Sequence, residues 1–431
     1  MQTHEADIID LSHDGRGVAR IDGKTVFVAG ALPGERVRLR RVHRHRNFDE
    51  AKVEEILQRA PQRIEPRCPH FGTCGGCSLQ HLPPQAQIEA KQHVLAENFE
   101  RIGKVAPARW LEPLVGEPWG YRRKGRLSVK WVAKKDKVLV GFREDNPRFV
   151  ADLSECHTLL PEVGSRIAAL GALVGGLEAR AQIAQIEIAA GDEVVSLTFR
   201  NLAPLSAHDR AALVAFGQAN GLAILLQPGG PDTVVPLWPD SVALSFRIPA
   251  ADVEVAFRPL DFIQVNAGMN QRMIARALEL LGLRAGDRVL DLFCGLGNFT
   301  LPIARRVATV VGVEGEAALV ARSRENAARN GVANAEFHAA DLLQDHRAAA
   351  WAQAPYDRIL LDPPRSGAAA VLEYLPRKGT DRIVYVSCHP GSLARDAGTL
   401  VHRHGFQLVA AGVMDMFPHT AHVESIALFE R

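Results

Sequence analysis

Two polar segments that each follow an apolar run carry the side chains best suited to covalent chemistry. Cys388 lies in Ser-Cys-His-Pro directly after DRIVYV, and Asp362 opens Asp-Pro-Pro-Arg directly after YDRILL. A thiol in a polar loop at a strand end is a candidate nucleophile. The alternative is a buried structural cysteine, the commonest fate of a free thiol. Glu424 opens a final apolar run and by itself would rank as a surface charge.

A glycine-rich turn indicates a nucleotide-like cofactor site near these side chains. Gly295 and Gly297 in VLDLFCGLGNFT stand between a predicted strand and a predicted helix, where glycine allows a sharp turn and a close approach to a ligand. Glu314 and Asp341 end the next two predicted strands, where a carboxylate can bind ribose hydroxyl groups. With Asp291, these acids and the turn are predicted to line one crevice.

Two other interpretations of this turn stay open. The three acids could simply cap the helices that follow them. A dinucleotide oxidoreductase could also use such a turn, but it usually has a third glycine, and Thr300 stands at that position. Cys294, inside the turn, is interpreted as a packing residue near the cofactor and not as a catalytic one.

A cluster of cysteines predicts a metal centre. Cys68, Cys74 and Cys77 lie within ten residues among glycines, and Cys156 follows after 78 intervening residues. Four thiolates suit either a zinc ion or a 4Fe–4S cluster. Zinc sites usually consist of two cysteine pairs, so the three-plus-one spacing favours iron–sulfur without excluding zinc.

The elements that must position these residues fall into three predicted domains. Residues 1–62 alternate short β runs with turns, including an Asp22-Gly23 hairpin signal, and predict a small β barrel. Residues 63–262 combine the cysteine loop, a helix near 86–101 placed to pack on the catalytic domain, and β hairpins that turn at 135–136 and 191–192. Residues 263–431 alternate strands with helices, which predicts an α/β, Rossmann-like parallel sheet closed by an antiparallel hairpin.

Composition sets limits on partners and compartment. The net charge is only +2, so any affinity for nucleic acid must come from local clusters. The densest cluster holds Arg36, Arg38, Arg40, Arg41, Arg44 and Arg46. The alternation puts the first three on one strand face, which predicts phosphate binding, with a solvated edge strand as the alternative. No apolar stretch reaches the ~20 residues of a membrane span. We expect a cytoplasmic monomer without a membrane partner.

Four segments resemble one known family. DLFCGLGNF, DPPR, SCHP and HVE are similar to the motifs of the RNA uracil-5-methyltransferases, and the resemblance runs through nearly the whole chain. It implies a class I S-adenosylmethionine-dependent methyltransferase domain preceded by a TRAM domain, an OB-like RNA-binding β barrel. CPHFGTCGGC together with Cys156 resembles the iron–sulfur signature of the branch that acts on 23S rRNA.

The resemblance also implies roles for individual residues. Cys388 would attack C6 of a flipped uracil, and Glu424 would remove the C5 proton. The residues implied to contact S-adenosylmethionine are Gln264, Phe293, Asn298, Glu314, Asp341 and Asp362. The four clustered cysteines would hold a 4Fe–4S cluster. His389 departs from the family, which has asparagine there; it could keep the hydrogen bond of the asparagine or favour the Cys388 thiolate.

Three other functions compete with this one. Radical tRNA-modifying enzymes also combine a TRAM-like domain with an iron–sulfur site, but they need Cys-x3-Cys-x2-Cys, and the first spacing here is five. A non-catalytic RNA-binding protein would have no need for both Cys388 and Glu424. A related enzyme acting on tRNA, or on another uridine of 23S rRNA, would keep the same chemistry.

Overall fold

Six strands form the N-terminal domain of the computed structural model, which describes residues 3–376 and 379–431. Asp22 and Gly23, with φ of 53° and 79°, join two antiparallel strands and confirm the predicted hairpin. The amides of Ile8 and Ile9 donate to carbonyls on opposite sides of the sheet at 2.8 Å and so help to close it into a barrel. The strands are β1 (Thr3–Asp7), β2 (Asp10–Leu11), β3 (Gly17–Ile21), β4 (Lys24–Ala29), β5 (Arg36–Arg44) and β6 (Phe48–Gln58).

The arginine-rich strand β5 carries a row of ion pairs. Arg36 and Arg38 lie 3.4 and 3.2 Å from the Glu5 carboxylate, and Arg40 lies 2.9 Å from that of Glu54. These carboxylates neutralise much of the row, against the expectation of an open phosphate-binding face. The exposed tip between β5 and β6 keeps the remaining basic side chains, which are His43, Arg44, His45 and Arg46.

The segment after the cysteine loop runs along the C-terminal domain. Helix α1 (Pro84–Asn98) continues as a π-helical turn (Phe99–Gly103), followed by the two-residue strand β7 (Arg109–Trp110). Ile88, Leu95 and Phe99 are buried in the core on one side of the C-terminal sheet.

The central domain has helices as well as the expected hairpins. Its six-stranded sheet contains β8–β9 and β10–β11, joined at the predicted turns. The prediction missed its helices, one of which connects the parallel strands β11 and β12. The elements are β8 (Lys124–Val132), β9 (Lys137–Gly141), α2 (Pro161–Gly164), α3 (Ile167–Gly176), β10 (Ile183–Ala190), β11 (Val195–Asn201), α4 (Ala207–Asn220), β12 (Ala223–Gln227) and β13 (Val235–Trp238).

A hairpin of β14 (Leu244–Ile248) and β15 (Val253–Phe257) then packs against the C-terminal domain. The Asn326 side chain accepts a hydrogen bond from the Ala256 amide at 2.9 Å and donates one to the Ala256 carbonyl at 3.1 Å. Thus parts of 63–262, namely α1, β7 and this hairpin, are packed with the C-terminal sheet.

The C-terminal domain is a doubly wound sheet that confirms the predicted fold class. Its order is β18-β17-β16-β19-β20-β22-β21-β7, with β22 antiparallel to both neighbours. Val289 faces one core and Leu290 the other, so the sheet is buried on both sides. The elements are α5 (Ala267–Leu281), β16 (Arg288–Leu292), α6 (Thr300–Ala304), β17 (Thr309–Glu314), α7 (Ala317–Arg329), β18 (Ala335–Ala339), α8 (Ala350–Gln353), β19 (Arg358–Leu361), α9 (Ala369–Leu372), β20 (Arg382–Ser387), α10 (Pro390–His402), β21 (Gln407–Met414) and β22 (Glu424–Glu430). Among the described residues, no helix is long and apolar enough to cross a bilayer.

Candidate active site

The candidate site lies where the strand order of the C-terminal sheet reverses. Strand β16 pairs with β17 on one side and with β19 on the other, and ligands of such sheets bind outside the carboxyl ends at this point. The Asp362 amide, just beyond β19, donates to the Leu292 carbonyl at the end of β16 at 3.3 Å. The Asp-Pro-Pro-Arg segment and the glycine turn therefore begin side by side.

The glycine turn has a strained backbone. Phe293 has a φ of 66°, a left-handed conformation that costs a non-glycine residue roughly 1–2 kcal/mol and that clusters at ligand sites. Gly297, with φ of 91°, adopts a conformation that a side chain would disfavour. The Phe293 amide is fixed by the Val313 carbonyl at 2.8 Å. Cys294 is buried, as expected of a packing residue, and its Sγ would lie 3.0 Å from a Cβ at Gly312.

The three acids of the predicted crevice differ in their surroundings. The half-buried Glu314 carboxylate accepts from the Gly295 and Glu316 amides at 3.1 and 3.0 Å and so ties the turn to β17. Asp341 is exposed and caps the next turn by accepting from the Leu343 amide at 3.0 Å. Asp291 is fully buried beneath the turn, where burial raises its pKa to about 7. It therefore does not line the crevice as predicted.

Two amide side chains flank the other side of the turn. Asn298 and Asn270 exchange reciprocal hydrogen bonds of 2.9 Å, which fix the turn against helix α5. Gln264 is half-buried just before this helix, and its carbonyl accepts from Arg123 Nε at 3.1 Å. The Asn298 side chain and the Gln264 backbone are therefore held near the start of α5.

Cys388, Glu424 and Asp362 form one electrostatic group. Burial, followed by the charges of Glu424 and Asp362, raises the pKa of Cys388 to about 11, while Arg365 opposes the shift. Burial raises the pKa of Glu424 well above its usual value, and Asp362 adds to the effect. Desolvation alone raises the pKa of Asp362 to about 7. The Cys388 thiol therefore has two carboxyl groups with raised pKa values as electrostatic neighbours.

His389 acts as a helix cap. Its Nδ1 accepts a hydrogen bond from the Ser392 amide at 3.1 Å, at the start of α10. Burial and Arg365 lower the pKa of His389, so it stays neutral. Of the two roles expected for position 389, the structure shows the hydrogen bond that an asparagine would also make.

Two side chains that sequence reasoning did not assign lie beside this group. Arg365 Nη2 lies 3.0 Å from His422 Nδ1. Burial and the Arg365 charge lower the pKa of His422 to about 4, so its ring accepts this bond. Both residues lie within quoted motifs, DPPR and HVE, but only their pairing in space marks them as neighbours of Cys388.

The four predicted metal ligands line one cavity of about 320 Å³, which Arg365 and His422 also line. Its sulfurs meet polar groups: the Gly76 amide donates to Cys74 Sγ at 3.4 Å, and Thr158 Oγ1 lies 3.2 Å from Cys156 Sγ. Residues 3–376 and 379–431 contain no set of three metal-binding side chains arranged to hold a single ion. The structure thus brings the four predicted cysteines to one cavity, and their role as metal ligands stays a prediction.

The N-terminal barrel borders the candidate site. A Cβ at Gly15 would lie 3.3 Å from Ala421 Cβ and 3.3 Å from Ser78 Oγ. This loop therefore contacts Ala421, in the segment that leads into Glu424, and Ser78, which follows the cysteine loop.

Comparison with known proteins follows the same domain pattern. A family model described as tRNA (Uracil-5-)-methyltransferase matches residues 182–431, and a TRAM domain model matches residues 1–45. A 23S rRNA (uracil(1939)-C(5))-methyltransferase RlmD of Xanthomonas campestris pv. campestris is 65% identical over 98% of this chain and 96% of the relative. The protein of that name from Stenotrophomonas maltophilia is 63% identical over 99% and 97%.

A solved structure shares the fold along the whole chain. The Pyrococcus abyssi tRNA (uracil-54, C5)-methyltransferase in complex with S-adenosyl-L-homocysteine has a TM-score of 0.75, 23% identity and 99% coverage of both chains. The family model spans more than half of this chain, and the bacterial relatives are similar along nearly all of it. The chain therefore belongs to the RNA uracil-5-methyltransferase family.

Proposed function

We propose that this protein methylates C5 of a uridine in 23S rRNA, with S-adenosylmethionine as methyl donor and Cys388 as covalent nucleophile. The observation that carries the proposal is the grouping of Cys388, Glu424 and Asp362 at strand ends beside the glycine turn. The names of the bacterial relatives point to uridine 1939 as the target. A tRNA or another 23S rRNA uridine is the second candidate, because the archaeal structure with the same fold is named for tRNA.

Cys388 has a defined task in this reaction because C5 of uracil is a poor nucleophile. The thiol gives its proton to solvent, Sγ bonds to C6, and the electrons of the C5–C6 double bond move into an enolate. C5 then takes the methyl group. S-adenosylmethionine supplies that methyl and, while bound, a sulfonium charge that offsets the acids beside Cys388.

Glu424 is suited to remove the C5 proton afterwards. The C5–H electron pair re-forms the C5–C6 double bond, and the C6–sulfur bond breaks to return the thiolate. Because burial and Asp362 raise its pKa, Glu424 is a stronger base than an exposed glutamate. Its burial also keeps bulk water from the adduct.

The methyl donor is proposed to occupy the crevice at the ends of β16, β17, β18 and β19. Its contacts would come from side chains on or next to these strand ends, namely Gln264, Phe293, Asn298, Glu314, Asp341 and Asp362. The left-handed Phe293 and the exposed Asp341 support this arrangement, since both lie at the mouth of the turn. Glu314 still has a free acceptor position on each oxygen besides its backbone bonds.

The four-cysteine cavity is proposed to hold a 4Fe–4S cluster through Cys68, Cys74, Cys77 and Cys156. A zinc ion needs four sulfurs ~2.3 Å from one point, whereas a cluster takes one thiolate on each of its irons. The lining of one cavity by all four cysteines supports the proposal, together with the three-plus-one spacing of these cysteines along the sequence. Because methyl transfer requires no redox step, the role of a cluster there would be to hold the cysteine-bearing loops in place.

RNA is proposed to approach across the N-terminal barrel. The barrel loop at Gly15 contacts Ala421 in the segment that leads into Glu424, and the exposed tip of β5–β6 carries Arg44 and Arg46. A uridine must leave its stack for a thiol to reach C6 from the ring face. We further propose that the protein acts as a cytoplasmic monomer.

The test of the target is a map of 5-methyluridine in cells lacking the gene. We expect the modification to disappear from position 1939 of 23S rRNA and to return with the wild-type gene but not with Cys388→Ala. Loss from tRNA alone would favour the second candidate. Unchanged 5-methyluridine in every RNA would refute the proposal.

A further inference from the structure

The loop that leads into Glu424 is fastened from the side of the cysteine cavity. We call residues 415–423 the base loop. At its centre, the buried His419 has a φ of 66°, a strained conformation for a side chain of this size. Its carbonyl accepts from the amides of Ser78 and Leu79, both at 2.9 Å, directly after Cys77.

Gln87 on α1 links the same two segments through its side chain. Its Nε2 donates to the carbonyls of Leu79 and Leu82 at 3.0 and 2.8 Å, and its Oε1 accepts from the His419 amide at 2.8 Å. Nε2 also lies 3.2 Å from His419 Nδ1. Because Gln87 is fully buried, replacing it with an apolar residue would leave several polar groups without partners.

Further contacts hold both ends of the base loop. Ser78 Oγ accepts from the Ala421 amide at 3.0 Å, and Lys91 forms a buried ion pair of 2.7 Å with Asp415. The His419 ring stacks on Trp119 with centroids 3.8 Å apart. The methyltransfer chemistry itself uses none of these groups.

We propose that Gln87 and His419 are positioning residues that couple the cysteine loop to Glu424. This inference rests on the proposed function, because it assumes that Glu424 resolves the covalent adduct. Releasing the base loop would shift Glu424, five residues beyond His419, while Cys388 stays fixed between β20 and α10. Sulfur addition and methyl transfer would continue, and removal of the C5 proton would slow.

The readout that separates positioning from general destabilisation is the trapped adduct. Gln87→Leu, Ser78→Ala and wild-type holoenzyme are mixed with S-adenosylmethionine and a 23S rRNA fragment and run on a denaturing gel. We expect the fraction of enzyme in a methylated RNA adduct to rise by about threefold or more in Gln87→Leu and less in Ser78→Ala. The iron content of each variant is measured in parallel.

His404→Ala serves as the matched control, since it removes a buried histidine that contacts the Leu372 carbonyl at 3.0 Å, away from the base loop. It should lower the melting temperature without adding adduct. If Gln87→Leu does not fold, the inference is tested by the amount of adduct that Ser78→Ala accumulates. Slower turnover without extra adduct overturns the inference, provided that Glu424→Gln traps adduct. If Glu424→Gln traps none, the proposed base itself is wrong.

Discussion

Two thiol-bearing regions of the protein are built for different tasks, and Arg365 lies next to both of them. Cys388 stands between a strand and a helix, and its charged neighbours are the carboxyls of Glu424 and Asp362 with Arg365 opposing them. The clustered cysteines stand on irregular loops, where burial comes first and the other cysteines add to the upward shift of their pKa, to about 11 for Cys74 and about 12 for Cys77. A nucleophile needs a proton acceptor nearby, whereas buried thiolates in a group need metal cations. The neighbours, more than the thiol pKa values, distinguish the two sites.

The largest expected effect separates the two regions outright. Cys388→Ala should lower methyl transfer to 23S rRNA by about a thousandfold or more, because no other group can bond to C6. Binding of S-adenosylmethionine, measured by calorimetry, should persist. If Cys388→Ala keeps activity near the wild-type level, Cys388 is not a covalent nucleophile, and the difference between the two thiol sites no longer holds.

The next effect tests the cavity. Cys156→Ser should reduce bound iron and sulfide, about four of each in anaerobically purified wild type, and lower the melting temperature. Methyl transfer should fall less than in Cys388→Ala, since no step passes through the cavity. One zinc ion per wild-type chain would show that the four cysteines bind zinc and would refute the 4Fe–4S cluster.

A smaller effect concerns the acids around Cys388. The pKa of Asp362 is raised from 3.8 to about 7, so the folded protein keeps a proton that the unfolded chain loses between these values. Stability of the free protein should therefore fall as pH rises from about 4 to about 7. Asp362→Asn should reduce this fall, leaving the part that comes from Asp291 and Glu424, whose pKa values are also raised. Identical melting curves for variant and wild type at pH 5 and pH 8 would argue against the buried, proton-holding carboxyl.

The smallest effect concerns His389. Asparagine is a stronger N-cap than histidine, so His389→Asn should stabilise helix α10 by at most about 1 kcal/mol. Urea unfolding would measure the change. A large loss of stability would mean that the imidazole does more than cap α10.

The sequence predicted the elements whose signals are local. Asp22-Gly23 marks a turn because both residues tolerate positive φ, and Gly295 and Gly297 mark a turn between a strand and a helix. Cys388 and Asp362 could be placed at the same edge because parallel strands bring their carboxyl ends together. The missed helix α4 also had a local signal: Ser206 caps it by accepting from the Asp209 amide at 3.2 Å.

The remaining features depend on contacts between distant segments. Arg38 was expected to bind phosphate because its strand neighbour Glu5, 33 residues earlier, is invisible to a local pattern. Helix α3, with its glycines, is apolar on most sides and lacks the polar face by which helices are recognised. The Gln87–His419 contact joins residues 332 positions apart, and neither has a distinctive neighbourhood in sequence.

The C-terminal sheet is completed by segments that precede it by hundreds of residues. Strand β7 pairs with β21 at the edge of the sheet, where Trp110 lies opposite Ala411. The next residue, Leu111, is buried in the core on one side of the sheet. A truncated chain starting near residue 263 would expose that edge and the apolar surface beneath α1 and the β14–β15 hairpin. The methyltransferase half is therefore not an independent folding unit. During synthesis on the ribosome, α1 and β7 emerge early, and they can pack only after the last strands of the sheet have been made.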